Sequence, residues 1–232
     1  MAAELERELR PAVQHLRDFV AQGEGSASAA VMEHLTSYLR LLLRVNRRAN
    51  LVGPLSPEEM AQTLICDSLQ VLRVCPQPLS PVVDVGSGAG LPGIPIKILR
   101  PELEVHLVEP RAKRQAFLGL VLRQLALTGI TRHALRIEDF EEEVGSATSL
   151  AMGCAVSKAF APLERWLPLA ARLVRPGGDV VALCSAAHWQ ALGASPLEVA
   201  PNLVLQGALA YTWPQSTARL ALHFKRGPLP CS

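Results

Sequence analysis

One stretch constrains the fold more than any other: Pro81 to Pro95, in which Val82-Val83-Asp84-Val85 runs into Gly86-Ser87-Gly88-Ala89-Gly90. A short apolar run rich in β-branched residues, broken by glycines at every second position, predicts a buried parallel strand feeding a tight turn. In open α/β sheets the loops at that end of a strand line the ligand crevice. Glycines there let the backbone approach a bound molecule with no Cβ in the way. Spacing narrows the choice of ligand. A dinucleotide fingerprint would need its third glycine at Leu91, and a P-loop would need a Gly-Lys-Ser/Thr ending. Neither is present; the pattern is Asp84-x-Gly86-x-Gly88-x-Gly90.

That pattern resembles the first motif of class I methyltransferases, which bind S-adenosyl-L-methionine through such a turn. A second strand-like run, Val105 to Val108, ends at Glu109, 25 residues after Asp84. An acid at the end of the next strand suits bonding to ribose hydroxyls, because a carboxylate can accept from two adjacent ones. The plain alternatives are a ligand-free glycine turn and a Glu that caps the helix starting near Arg111. The two signals in register favour a cofactor site.

The 232 residues allow one large domain with an appendage, and 49% hydrophobic content predicts a substantial core. A net charge of +2 does not by itself indicate nucleic acid. Cys66, Cys75, Cys154, Cys184 and Cys231 are scattered without a C-x-x-C pair, and read as ordinary thiols rather than a zinc site or disulfide framework. Glu4, Glu6 and Glu8 interrupt the N-terminus, which has no signal-like apolar core, and no apolar run is long enough to span a membrane. A cytoplasmic protein without metal is expected.

Along the chain, residues 1–80 read as a helical N-terminal region and 81–232 as a Rossmann-like domain. Helical periodicity covers Glu4 to Val20 and Val31 to Arg48, with a loop at 23–28 between them. Arg40, Arg44, Arg47 and Arg48 fall along one side of the second helix, and no acid occurs from His34 through Pro57. The commoner origin of such a stripe is a solvated face; one-sided charge without matching acids favours a polyanion. Ser56-Pro57-Glu58-Glu59 is a capping box that starts a helix running to about Val74. Further strands are expected at 134–137, 154–157 and 179–183, helices at 91–99, 111–127, 163–173 and 186–199, and a helix opening on the acidic run Glu138 to Glu143. The final strands, 203–211 and 219–224, have no helix between them and predict an antiparallel hairpin edge on an otherwise parallel, doubly wound α/β sheet.

Beyond the glycine turn, the chain is similar to the bacterial methyltransferases that modify N7 of a guanine in small-subunit ribosomal RNA, historically called glucose-inhibited division protein B. Asn46-x-x-x-Asn50-Leu51 resembles part of that family's W-N-x-x-x-N-L-T, and Asp67-Ser68-Leu69 its D-S-L. Asp84 through Pro95 matches D-V-G-T-G-P-G-L-P-G-I-P at nearly every position. Arg136-Ile137-Glu138-Asp139-Phe140 resembles R-V-E-E-F, and Ser157-Lys158-Ala159-Phe160-Ala161 resembles S-R-A-F-A. The departures are Leu64 for a histidine, Lys158 for an arginine, Cys184 for a lysine, and Ala218 where an arginine stands, which is thus missing or displaced by one.

The resemblance implies a seven-stranded class I fold with a helical N-terminal extension. It implies S-adenosyl-L-methionine held by Asp84, Gly86, Gly88, Gly90, Leu91, Glu109, Ile137, Glu138 and Lys158. The implied partner is small-subunit ribosomal RNA or a pre-ribosomal particle, and the stripe of Arg40, Arg44, Arg47 and Arg48 read above is the surface expected to meet it; a monomer is expected. N7 carries an in-plane lone pair and loses no proton on methylation, so the enzyme needs alignment rather than a general base. Lys158, the candidate catalytic residue, is expected to overlook the transferring methyl at the end of the fourth strand. Phe160 could stack on the base, although a lone Phe after a strand is more often core. The D/N-P-P-Y/F signature of amino-group methylation is absent, and the only Pro-Cys is at 230–231. Two alternatives stay open: a methyltransferase of this fold with another substrate, and a non-catalytic cofactor-binding partner of RNA or ribosome assembly.

Overall fold

The computed structural model describes residues 2–23, 28–146, 152–192, 199–214 and 216–228. Helices α1 (Ala2–Ala21) and α2 (Ala29–Ala49) follow the apolar periodicity, and Leu9, Leu16, Leu35, Leu39 and Leu42 on them are buried. Helix α3 (Pro57–Met60) opens on the predicted capping box. Ser56 Oγ accepts from Glu59 N at 3.2 Å, and Glu59 Oε2 accepts from Ser56 N at 2.7 Å. Two orphan donors of the first turn are thereby satisfied. The helix then widens into a π-helical stretch, Ala61–Cys66, before α4 (Asp67–Val74) resumes the regular geometry.

Seven strands follow, β1 (Val82–Val85), β2 (Val105–Val108), β3 (Ile130–His133), β4 (Met152–Lys158), β5 (Val174–Ser185), β6 (Leu203–Tyr211) and β7 (Arg219–Arg226). Their order in the sheet is β3-β2-β1-β4-β5-β7-β6. The first five run parallel, and β7 is antiparallel to both β5 and β6. This is the predicted hairpin edge. Helices α5 (Gly93–Leu99), α6 (Ala112–Gln124), α7 (Ile137–Ser146) and α8 (Leu163–Leu173) lie in the crossovers between the parallel strands, and α9 (Ala186–Gln190) follows β5. The strand order reverses between β1 and β4, so their C-terminal ends flank the switch point where such sheets take ligands.

Successive residues of a strand face opposite sides of the sheet, and the core divides accordingly. Val82, Val105 and Leu107 join Leu16, Leu35, Leu39 and Ile65 in one apolar cluster that ties the N-terminal helices to one face. Val83 and Val85 join Phe140, Trp166 and Leu167 under α7 and α8 on the other.

Two expectations need correction. The third strand is Ile130–His133, not 134–137; Ile137 instead opens α7, which carries Glu138 and Asp139 in its first turn. Ile130 to His133 pairs in register with Val105 to Val108, and the edge position leaves it half exposed and hence without an apolar run. The helix expected over 186–199 is α9, Ala186–Gln190; residues 193–198 lie outside the described residues.

Candidate active site

The turn after β1 is built almost entirely by backbone. Gly86 N and Ser87 N both donate to Val108 O, at 2.9 and 3.1 Å, and Gly90 N and Leu91 N both donate to Ser87 O, at 2.7 and 2.8 Å. Gly86 sits at φ +70° and Gly90 at +94°, a region that L side chains rarely occupy. A Cβ on Gly86 would also lie 2.6 Å from the Phe160 ring. Asp84 is wholly buried, and its Oδ2 accepts from Gly93 N at 2.8 Å, fastening the start of α5 to the strand. Burial pushes the Asp84 carboxyl up to about 7, the Gly93 bond opposes this and nearby Glu109 adds to it. Its other oxygen, Oδ1, and the Ser87 hydroxyl are buried without a hydrogen-bond partner among the described residues.

Glu109 stands at the end of β2 but is not an open acceptor. Its carboxylate is buried and accepts from Gly88 N at 3.0 Å, Arg111 N at 2.9 Å and Arg114 Nη1 at 3.1 Å. A carboxylate offers about four lone-pair sites, so capacity for a further donor remains. Gly86, Val108, Ile137, Glu138 and Phe160 line a cleft of about 550 Å³ at the C-terminal ends of β1 and β2. Ile137 is buried; Glu138 is exposed and pairs with Arg165 at 2.9 Å. Leu91 is buried behind the turn, while Phe160 leans on Gly86 and meets Trp166 edge-on. The cleft has the size of a small-molecule site, and Gly86 of the glycine turn lines it with the apolar Val108, Ile137 and Phe160. With the spare lone pairs of Glu109 and the unpartnered Asp84 Oδ1 and Ser87 hydroxyl in the adjoining strand and turn, that donor and acceptor set fits S-adenosyl-L-methionine.

Lys158 differs from expectation. At the end of β4 its ammonium is turned to Asp67 Oδ2, 2.7 Å away, and to the carbonyl of Thr63 in the π-helical stretch. Asp67, wholly buried, also accepts from Tyr211 Oη at 3.0 Å, Trp213 Nε1 at 3.3 Å and Arg219 Nη2 at 3.2 Å. Burial alone would raise the Asp67 carboxyl; Lys158 and Arg219 beside it, with the bonds from Lys158 and Trp213, hold it below the usual carboxylate range. An arginine therefore does stand beside Ala218, as Arg219, and converges with Lys158 on one acid. Leu64 packs half-buried on the π-helical stretch, and Cys184 is buried in β5 opposite Leu220. None of the members from β6 and β7 was visible as a set in the sequence.

The arginine stripe does have matching acids, contributed by a different helix. Arg40 Nη2 lies 2.7 Å from Glu6 Oε1, and Arg47 Nη2 lies 3.1 Å from Glu8 Oε2, both acids on α1. Arg44 reaches Gln124 Oε1 on α6 at 3.4 Å, and Arg48 is exposed. The Asn46-x-x-x-Asn50-Leu51 motif is structural: Asn46 Oδ1 accepts from Leu51 N and Val52 N at 2.6 and 3.0 Å, and Asn50 ends α2 in a left-handed conformation. Sequence spacing also hid one grouping, Cys75, Asp179 and His223, whose ligand atoms lie within 4.8 Å of one another. As it stands, Asp179 accepts there from His223 Nε2 and Lys225 Nζ, each at 2.8 Å, and burial pushes the Cys75 thiol up to about 12.

Comparison with known proteins agrees with this geometry. The family described as GidB, rRNA small subunit methyltransferase G, matches residues 31–195, well over half of the chain. A ribosomal RNA small subunit methyltransferase G of Oleidesulfovibrio alaskensis is 38% identical over 160 residues, 67% of this chain and 68% of that one. Its namesake in Anaeromyxobacter dehalogenans is 36% identical over 198 residues, 84% and 87% of the two chains. Among solved structures, an O-methyltransferase from Bacillus cereus in complex with SAH superposes with a TM-score of 0.62 at 14% identity, covering 91% of this chain and 97% of that one. TrmN from Thermus thermophilus superposes at 0.53 with 17% identity, covering 78% and 53%. The fold is thus that of class I S-adenosylmethionine-dependent methyltransferases, and the chain belongs to the ribosomal RNA small subunit methyltransferase G family.

Proposed function

We propose that this protein transfers a methyl group from S-adenosyl-L-methionine to N7 of a guanine in small-subunit ribosomal RNA. The observation that carries the reading is the family match across residues 31–195, with the Asp84-to-Gly90 turn folded as a backbone cradle at the switch point. When bound, the cofactor supplies an electrophilic methyl on a sulfonium. Gly86, Gly88, Gly90 and Leu91 would seat it, with Asp84 setting the turn, Glu109 accepting from the ribose, and Ile137 and Glu138 flanking the adenine. Lys158 would face the acceptor base or its phosphate once released in part from Asp67. What the chain itself supplies is alignment and exclusion of water, since N7 needs no base to deprotonate it. In this reading residues 1–80 form the RNA-facing helical part and 81–232 the catalytic part. Arg40, Arg44, Arg47 and Arg48 would dock phosphates of the small-subunit RNA or a pre-ribosomal particle. We further read the protein as a cytoplasmic monomer that needs no metal; no described helix is long and apolar enough to cross a membrane.

The test is mass mapping of small-subunit ribosomal RNA from a strain lacking the gene, with and without incubation with purified protein and cofactor. One 7-methylguanine should be missing from the deletion strain and return on incubation. An unchanged nucleotide profile, with purified protein that still binds the cofactor, would reject the substrate and leave a different acceptor as the better reading.

A further inference from the structure

We propose that Tyr38 is a positioning residue of the cofactor site: its hydroxyl fixes the peptide plane between Ala89 and Gly90, and with it the backbone that the glycine turn presents to S-adenosyl-L-methionine. Tyr38 lies on the buried face of α2, wholly shielded from solvent, and its Oη donates to Ala89 O at 2.8 Å. Ala89 is itself buried, so water has little access to replace that donor. A peptide unit is planar and trans, so its C=O and the following N–H point in opposite directions. Holding the Ala89 carbonyl toward α2 therefore aims Gly90 N–H the other way, where it donates to Ser87 O at 2.7 Å. Gly90 sits at φ +94°. A glycine is the residue most able to change conformation, and the plane on its N-terminal side is the one that Tyr38 pins.

The turn is thus held from three directions. Asp84 accepts Gly93 N–H from below, Glu109 accepts Gly88 N–H from the end of the neighbouring strand, and Tyr38 donates to the Ala89 carbonyl from the helical N-terminal region. The first two belong to the strands that flank the turn. The third comes from 51 residues earlier in the chain, which makes α2 part of the cofactor site and not only a covering for the sheet. A tyrosine that only filled the core would be replaceable by phenylalanine.

This role rests on the cofactor site proposed above, and the experiment separates the two. Tyr38→Phe keeps the ring and removes one donor. Calorimetry on the folded variant should give a dissociation constant for S-adenosyl-L-methionine raised about 5- to 10-fold, the effect of one lost hydrogen bond. In cofactor-free protein the amides of Gly90 and Leu91 should exchange with deuterium faster than in wild type, relative to those of β1. Leu42→Ala opens a cavity on the same buried face of α2. It should lower the melting temperature and leave the dissociation constant near the wild-type value. Equal cofactor affinity in wild type and Tyr38→Phe overturns the proposal, as does an equal loss of affinity in Leu42→Ala. A wild-type protein that bound no S-adenosyl-L-methionine would remove the cofactor site itself, and this role of Tyr38 with it.

Discussion

Two buried carboxylates near the C-terminal ends of the strands respond to pH in opposite senses, for reasons visible in their partners. Asp67 faces Lys158 and Arg219 and is held below its ordinary range. A depressed acid contributes stability that is present above the unfolded value, about 3.9, and is lost as pH falls through the folded one. Asp67→Ala would take the shared carboxylate from two largely buried cations, Lys158 and Arg219, and removing one partner of a buried pair costs about 3–5 kcal/mol; urea denaturation at pH 7 measures it. Asp84 pairs with no cation among the described residues, and burial lifts it to about 7. Its contribution is therefore fully present below the unfolded value and declines as pH rises toward 7, where the unfolded chain ionises and the folded one resists. Asp84→Asn removes that titration and keeps an oxygen for Gly93 N–H. The variant should gain on wild type by about 3–4 kcal/mol between pH 4 and pH 8, since each tenfold change in proton affinity on folding is worth about 1.4 kcal/mol. Parallel stability curves for the two proteins over that range would show that Asp84 ionises freely.

At the scale of elements, α2 presents two different faces, Tyr38 on its buried side and the arginines on its outer one. The outer face is partly answered by α1, whose Glu6 and Glu8 pair with Arg40 and Arg47. Exposed pairs of this kind contribute little to stability, but each arginine so paired is less available to a phosphate. Glu6→Gln with Glu8→Gln should therefore tighten binding to a small-subunit RNA fragment and steepen its salt dependence by roughly one to two counterions. Arg44→Glu with Arg47→Glu should do the reverse and leave cofactor affinity nearly unchanged. Filter binding across a salt series reads both, and identical slopes for wild type and both double variants would remove α2 from the RNA surface. Elements whose signal is local were legible in the sequence: β1, β2, the glycine turn, the capping box and the antiparallel hairpin. β3 was misplaced because an exposed edge strand carries Thr131, Arg132 and His133 in place of an apolar run. The π-helical stretch leaves no mark in apolar periodicity. The Asp67 cluster was out of reach because its members, at 67, 158, 211, 213 and 219, meet only once β7 inserts between β5 and β6.

Across the whole molecule, contacts distant in sequence bind the N-terminal helices to the far edge of the sheet. Trp213, between β6 and β7, packs on Phe19 of α1 with ring centroids 5.8 Å apart and donates to Asp67, which holds Lys158 at the end of β4. The same apolar cluster runs from Leu9 and Leu16 through Ile65 to Val82 and Leu107. A molecule connected this way should unfold as one unit, and a ligand bound at the glycine turn should stabilise α1 as much as the sheet. Ligand that binds only the native state adds RT ln(1 + [L]/Kd), about 2.7 kcal/mol at a hundredfold excess over Kd. The variant Trp166→Phe with Trp189→Phe leaves Trp213 as the sole tryptophan and so reports on the junction of α1 with the hairpin. Its fluorescence transition in urea should coincide with the far-UV circular dichroism transition. Both should move together by that amount when S-adenosyl-L-methionine is added at a hundred times the variant's own Kd. If the Trp213 transition stayed in place while the dichroism shifted, the junction of α1 with the β6–β7 hairpin would be melting independently of the ligand-stabilised part of the sheet, and the molecule would not unfold as one unit.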